Sequence, residues 1–360
     1  MKTEYLIIGS GLTGSVLARS LTDIGKKVIV LERRDHIAGN IYDYYHKSGI
    51  RLNKYGPHYF RTNSEKVWKF VNRFSEFYKF EAKLKTFSNS QLFNWPLHEQ
   101  DFKRIVDDKF VYSFDGEATN FEEASLKMMP SLIYEKFVKG YTKKQWAVDP
   151  KQLSKDLAKR FDIRINNDIR LMDHKYQGLP VNGFTALISK MLEGIPVILN
   201  CDFLKNRDQF QYSKLIYTGS IDEYYNSKFG KLRYRTQKRI DKYFSEFDSF
   251  QNCEQVNYPG EEYEYVRILE WKYMLPQNFR EKISGTLITY EIPQNPSSSW
   301  ENEYPFPSYI DQEIYKKYEK ENTDNNIIFC GRLGKYKYYD MDIAISEAFK
   351  IFRQIEDDKL

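Results

Sequence analysis

The residues best placed to do chemistry stand at the start of the chain. Gly9-Ser-Gly11-Leu-Thr-Gly14 is a G-x-G-x-x-G sequence that follows an apolar run and opens a helical pattern. In that position Gly9 and Gly11 permit a tight turn and the close approach of a pyrophosphate, which the positive end of the helix then holds, while Gly14 lets the helix lie close to the strand. Glu32 closes the next apolar run, where a carboxylate can accept hydrogen bonds from ribose hydroxyls and disfavours a 2′-phosphate. The plain alternative is a glycine turn that binds nothing. The strand before the glycines and the carboxylate after them argue against it.

Such a site needs a βαβ unit around it, and the apolar pattern supplies one. Tyr5-Leu-Ile-Ile8 is a continuous apolar run, as expected of a buried parallel strand. Val16, Leu17, Leu21 and Ile24 recur at helical spacing, Gly25 stops the helix, and Val28-Ile-Val-Leu31 is the second strand. The α/β order returns further on. Phe184, Leu187, Ile188, Met191 and Leu192 share one helix face ahead of Gly194 and a strand at Val197. Lys214-Leu-Ile-Tyr217 is a strand before Gly219, and Ile327-Ile-Phe-Cys330 precedes an amphipathic helix from Met341 to Ile355.

Other material separates these pieces. A helical pattern runs from Glu65 to Phe77, a short extended piece covers Phe93 to Leu97, and a polar, helix-prone region continues to about Lys159. From about 230 to 310, Tyr-, Val- and Ile-rich runs broken by Pro and Ser read as antiparallel strands around a different core. The expected fold class is therefore α/β, with a Rossmann-like dinucleotide-binding domain that is discontinuous in sequence and carries inserted helical and antiparallel β-sheet domains. The expected segments are 1–80, 176–235 and 319–360 for the first, 98–160 for the second, and 236–318 with 81–97 and 161–175 for the third.

Composition narrows the class. With 360 residues, 41% of them hydrophobic, the chain is long enough for two or three domains. The 55 basic and 50 acidic side chains leave a net charge of +5, spread along the whole length. That balance suits an anionic ligand, whereas a nucleic-acid partner would call for a concentrated basic stripe. Cys201, Cys253 and Cys330 are few, far apart and odd in number, so neither a disulfide framework nor a metal site is expected, and the compartment should be reducing. No apolar stretch approaches the roughly 20 residues of a membrane span, and the first strand begins close to Met1. A cytoplasmic protein without a signal peptide is expected. The 29 tyrosines suit a cleft lined by groups that both stack and hydrogen-bond, although ordinary core and surface positions account for most of them.

Directly after Glu32, Arg33-Arg34-Asp-His-Ile-Ala38-Gly39-Asn40 resembles the longer fingerprint of the FAD-binding, glutathione-reductase-like superfamily, with Ala38 in place of one glycine of a pair. Beyond it the chain resembles the UDP-galactopyranose mutases nearly end to end. These are flavoenzymes that interconvert a nucleotide-linked hexopyranose and its furanose form. The segments that carry the resemblance are Tyr55-Gly-Pro-His-Tyr-Phe-Arg-Thr62, Lys139-Gly-Tyr-Thr-Lys-Lys-Gln-Trp146, Tyr176-Gln-Gly-Leu-Pro-Val181, Tyr265-Val-Arg-Ile-Leu-Glu270 and Gly331-Arg-Leu-Gly-Lys-Tyr-Lys-Tyr-Tyr-Asp-Met341.

The resemblance implies an isomerase with FAD as cofactor, active when reduced. In that family the reduced flavin N5 attacks the anomeric carbon, displaces the nucleoside diphosphate and forms a sugar adduct that opens to an iminium. The ring then recloses through a different hydroxyl. There is no net redox change, so an external reductant such as NADPH or a reduced flavin system serves only to activate the enzyme. The implied substrate is a nucleotide-diphosphate sugar, UDP-galactopyranose converted to UDP-galactofuranose for polysaccharide biosynthesis, and a homodimer is compatible with it.

Position within the matching segments also implies roles. Arg164 and Arg267 match diphosphate-binding arginines, work suited to a guanidinium fork. Tyr338 and Tyr176 match tyrosines that contact diphosphate and substrate, Tyr141 and Trp146 match aromatics that line the nucleotide and sugar pocket, and Asn257 joins that substrate set. His58 matches a loop histidine beside the flavin, as a base or only as a support. Arg332, Asp340 and Met341 match the part that meets the pyrimidine end of the flavin, where a cation and a helix start stabilise negative charge on the reduced ring. Gly9, Gly11, Gly14, Glu32, Arg33, Gly39, Asn40 and His58 complete the cofactor set. Arg164, Arg267, His58 and Tyr338 form the catalytic set. Taken singly, a surface ion pair, a packed helix or a structural histidine would account for each.

The departures from that family concern the sugar. Arg61, placed in the substrate set, stands where a second histidine is common and is similar to relatives that accept UDP-N-acetylgalactosamine. Ala82 replaces an asparagine, Pro305-Phe306 a pair of tyrosines near the diphosphate, and Trp271 a histidine. A pocket that loses polar groups suits a less hydroxylated sugar such as dTDP-fucopyranose. From other classes, an FAD-dependent oxidoreductase shares the whole N-terminal fingerprint, a non-catalytic flavin-binding protein would bind nucleotide sugar whatever the redox state, and an NAD dehydrogenase would carry no flavin.

Overall fold

A run that is apolar at every position has two faces to bury, and Tyr5–Ile8, the second half of the first strand, Lys2–Ile8, buries both: Leu6 and Ile7 are fully enclosed. In the computed structural model it lies at the centre of a five-stranded parallel sheet, between Val28–Leu31 and Gln211–Tyr217, with Val197–Ile198 and Ile327–Phe329 at the edges. The structure describes residues 1–106, 113–161, 164 and 166–357. Positions 107–112 of the expected helical region, 162, 163 and 165 of the expected sheet segment, and 358–360 of the last dinucleotide segment lie outside the described residues.

The helices Leu12–Asp23 and Met341–Glu356 pack against one another beside this sheet. The turn between the first strand and the first helix needs its glycines for specific reasons. Gly9 has φ +100°, and a Cβ on it would meet Thr218 Oγ1 at 2.2 Å; a Cβ on Gly14 would lie 2.0 Å from the carbonyl oxygen of Gly9. The helix can approach the turn only because Gly14 has no side chain. This is the Rossmann-like α/β arrangement that the glycine spacing implies.

A second, seven-stranded sheet has the order Tyr304–Pro305, Tyr234–Phe244, Thr286–Gln294, Arg267–Glu270, Gln255–Asn257, Leu84–Ser88, Gln91–Trp95. Its pairings are antiparallel except that of Gln255–Asn257 with Leu84–Ser88. The register sets Arg267 opposite Glu291, and Glu291 opposite Arg239 on the next strand. Against this sheet lie the helices Glu99–Val106 and Phe121–Met128 and the helical stretch from Ser131 to Trp146, around a core that includes Phe121, Met129, Ile133 and Leu153.

One expected element is shorter. The helix read from Glu65 to Phe77 is capped by the Ser64 hydroxyl but ends at Val71. Phe77–Lys79 is a strand instead, because its backbone pairs with Tyr176–Pro180, and no local pattern reports that distant partner.

The two glycines separate fold from ligand. Gly14→Ala forces a methyl into the Gly9 carbonyl and is expected to cost about 1–3 kcal/mol in urea unfolding. Gly11→Ala, whose Cβ would meet nothing closer than Gly39 Cα at 3.8 Å, should unfold like the wild type. Equal losses for both would contradict this reading.

Candidate active site

Two cavities meet inside the molecule. The smaller, about 180 Å³, lies along the glycine turn and is lined by Gly9, Gly11, Gly14, Glu32, Arg33 and Gly39; the larger, about 450 Å³, is a cleft against the seven-stranded sheet. Asn40, His58, Arg332, Tyr339 and Met341 line both, so a ligand that filled the smaller cavity would meet the cleft at these side chains.

The smaller cavity fits a dinucleotide. Gly39, at φ +52°, approaches Gly11 so closely that a Cβ on it would lie 2.8 Å from Gly11 Cα, and bare backbone therefore lines the turn. The Glu32 carboxylate is aimed by its own bonds: one oxygen accepts from the Ser10 N–H and hydroxyl, both at 2.9 Å, and the other from the Arg34 N–H at 3.0 Å. Ala38 holds φ +72° without being glycine, which a methyl side chain tolerates. Arg33 donates to the Ser299 carbonyl at 2.6 Å and pairs with Glu223 at 3.3 Å, and Arg34 donates to Asn40 Oδ1 at 3.0 Å.

The wall of the cleft carries a buried ion network. Arg267 Nε donates to one oxygen of Glu291, and Arg239 Nε donates to the other at 2.8 Å. Arg239 then grips Glu303 with two parallel bonds of 2.8 Å, and Thr236 donates to the same carboxylate at 3.0 Å. Glu291 is fully buried and Glu303 nearly so. Burial alone would neutralise Glu291 and Arg267, but each outweighs it for the other. Glu291 holds Arg267 well above the ordinary arginine value, and Arg267 and Arg239 hold Glu291 below the ordinary carboxylate value. Gly56 lies directly on this network, since a Cβ there would come within 2.8 Å of Glu291 Oε1.

From Gly56 the network reaches His58, whose Nδ1 is 2.8 Å from the Gly56 carbonyl. A carbonyl only accepts, so Nδ1 carries the proton and Nε2 is left with its lone pair. Burial, and then the charge of Arg332, push the His58 pKa down to about 3. The imidazole is therefore neutral, although part of its edge faces the cleft. Arg332 is fixed beside it by the carbonyls of Glu303 and Tyr339, both at 3.0 Å.

Further cations face the same space. Arg160 lies 3.9 Å over the ring of Tyr338, with Arg332 at 4.7 Å from the same ring. The Tyr338 hydroxyl donates to Asp340 Oδ1 at 3.1 Å, and Arg61 pairs with Asp340 Oδ2 at 3.0 Å. Tyr141, Trp146 and Asn257 line the cleft as well, Trp146 with its ring edge-on to Phe306 and Asn257 with its carbonyl taken by Gln255 at 2.8 Å.

Some expected residues are not brought here. Arg164 does not line the cleft. Its guanidinium is held by Asp168 at 3.2 Å and by the carbonyls of Arg170 and Leu171, whereas Arg160, four positions earlier in the sequence, faces the cavity. Tyr176 is stacked on Trp68 at 5.3 Å, and Leu171 and Met172 occupy the wall instead. Ala82 is buried in the core around the helical region, Trp271 donates its indole N–H to Thr289 at 2.6 Å in another core, and Phe306 is buried behind Trp146. The pair that meets the cleft is Glu303-Tyr304, just ahead of the expected Pro305-Phe306. Of the four departures weighed for the sugar, only Arg61 faces the cavity.

A family model described as UDP-galactopyranose mutase matches residues 136–338, more than half of the chain, and a model described as an NAD(P)-binding Rossmann-like domain matches residues 7–74. The chain belongs to the UDP-galactopyranose mutase family. A dTDP-fucopyranose mutase of Escherichia coli is 34% identical over 96% of this chain and 97% of its own length. A UDP-galactopyranose mutase of Mycoplasma genitalium is 30% identical over 98% of this chain and 94% of its own. The crystal structure of a reduced UDP-galactopyranose mutase shares the fold at a TM-score of 0.74 and 16% identity, covering 99% of this chain and 94% of that one. The protein is thus a mutase, an isomerase of nucleotide sugars. Among the described residues no helix is long and apolar enough to cross a membrane.

Two outcomes follow from the charges in this mutase. His58 takes up no proton in the folded protein until the pH falls towards 3, whereas the unfolded chain takes one up near 6.5. Stability is complete above pH 6.5 and falls below it, by about 1–2 kcal/mol at pH 5. Urea unfolding at pH 7 and pH 5 should show this slope in the wild type and a shallower one in His58→Gln; identical slopes would mean that His58 is charged in the fold. Glu291→Ala strands the buried Arg267 guanidinium and leaves Arg239 with Glu303 as its carboxylate, and should cost about 3–5 kcal/mol by the same measurement.

Proposed function

We propose that the enzyme interconverts the pyranose and furanose forms of a nucleoside-diphosphate sugar, of the UDP-galactopyranose to UDP-galactofuranose type, with reduced FAD held across the two cavities. The observation that carries this reading is their junction: the side chains shared by the dinucleotide cavity and the cleft lie next to a fixed cationic wall. A ring system reaching out of the first would face a sugar whose diphosphate rests on the second.

When bound and reduced, FAD supplies the nucleophile for the anomeric carbon without net oxidation. The protein does the rest. Arg267, clamped by Glu291, receives the diphosphate as its bond to the sugar breaks, and Arg160 adds charge at the same end. Arg332 and the start of the Met341–Glu356 helix favour negative charge on the reduced ring. Neutral His58 offers Nε2 as an acceptor beside that ring, and Asp340, oriented by Arg61 and Tyr338, is placed to accept from sugar hydroxyls.

A second substrate, dTDP-fucopyranose, is favoured by two observations: Leu171 and Met172 give the cleft an apolar wall, and one relative carries that activity in its name. A 6-deoxy sugar loses less against such a wall than a hydroxylated one.

The purified protein should be yellow. Reduced with dithionite and incubated with UDP-galactopyranose, UDP-N-acetylgalactosamine and dTDP-fucopyranose in parallel, it should give an isomer peak by chromatography from one of them, and only when reduced. Oxygen consumption with some other substrate and no isomer from any of the three would replace this reading with an FAD-dependent oxidoreductase.

A further inference from the structure

The helix Gly140–Trp146 carries Tyr141, Gln145 and Trp146 into the cleft, and its two lysines, Lys143 and Lys144, point elsewhere. Lys144 Nζ lies 2.6 Å from the carbonyl oxygen of Tyr258, 2.7 Å from that of Gly260, 2.9 Å from that of Tyr265 and 3.1 Å from that of Tyr263. An ammonium group has three protons, so four carbonyl dipoles share them around one charge. All four belong to the loop 258–265, which joins the strand of Asn257 to the strand of Arg267. A separate feature points the same way: a Cβ on Gly140 would sit 2.4 Å from the Pro259 carbonyl oxygen, so loop backbone rests on the bare start of the helix. Lys143 adds an exposed pair with Glu261 at 2.9 Å.

We propose that Lys144 is a positioning residue for the nucleotide half of the cleft. Its ammonium holds the 258–265 loop at a fixed height on the helix, and so sets Asn257 and Arg267 on one side of the cleft against Tyr141, Gln145 and Trp146 on the other. Without the charge the four carbonyls turn to water, the loop lifts, and the two walls lose their spacing while the dinucleotide cavity, built from other elements, keeps its shape. This rests on reading the cleft as a nucleoside-diphosphate site.

The test is UDP binding by calorimetry to the FAD-loaded wild type, Lys144→Met and Gly140→Ala. The second variant keeps the charge and has a helical backbone that alanine favours, so it lifts the same loop by contact alone. Both should bind UDP about tenfold more weakly or worse with flavin content unchanged, and in turnover KM should rise while kcat holds. If Lys144→Met fails to fold, Gly140→Ala carries the test. Wild type that binds no UDP would defeat the reading of the cleft itself. Wild-type binding matched within twofold by the folded variants would overturn the clamp.

Discussion

Arg267, Glu291 and Arg239, on three neighbouring strands, and Glu303, just ahead of a fourth, form a chain of charges, and the cleft depends on it. A single arginine at the wall would swing towards water, and a fully buried carboxylate would be expensive to keep ionised. Set in register, each removes the cost of the other. The guanidinium of Arg267 is left with one face to the cavity and no freedom to leave it. Within the network two cations balance two anions. The excess positive charge in the cleft comes from Arg332, Arg160, Lys159 and Arg61 against Asp340, and it matches a ligand that brings negative charge.

The same network ties the two cavities together. Gly56 lies against Glu291, its carbonyl orients His58, and the carbonyl of Glu303 orients Arg332. His58 and Arg332 in turn face the cavity of the glycine turn. Where the diphosphate end and the dinucleotide end are fixed by one set of bonds, the distance between them does not drift, and a reaction between groups held at the two ends gains from that constancy.

How much of this could be read from the chain itself varies with the range of the interaction. The glycine turn, Glu32 and the parallel strands were legible because a βαβ unit is local and every residue that defines it lies within a short window. The helix start at Met341 and the cleft positions of Arg267, Tyr338 and Trp146 were legible through family motifs. Arg239, Glu291 and Glu303 were not, because nothing near any of them in sequence reveals its partner; the pairing of Tyr234–Phe244 with Thr286–Gln294 and with Tyr304–Pro305, and of Thr286–Gln294 with Arg267–Glu270, brings them together. The same limit explains the misplaced positions. Tyr176 and Leu171 are a few residues apart, yet one stacks on Trp68 and the other faces the cavity, and Glu303-Tyr304 takes the place expected for Pro305-Phe306. Without the strand register, an error of one or two positions reverses which face a side chain presents.

The account stands most directly on Arg267 as the anchor of a diphosphate. Calorimetric titration of UDP into the FAD-loaded wild type and Arg267→Met measures that claim, since methionine fills similar space without charge and Arg239 still holds Glu291. The predicted result is a loss of about 100-fold in affinity, roughly 3 kcal/mol, with flavin content unchanged. Equal affinity in the two proteins would place the diphosphate elsewhere and contradict the account.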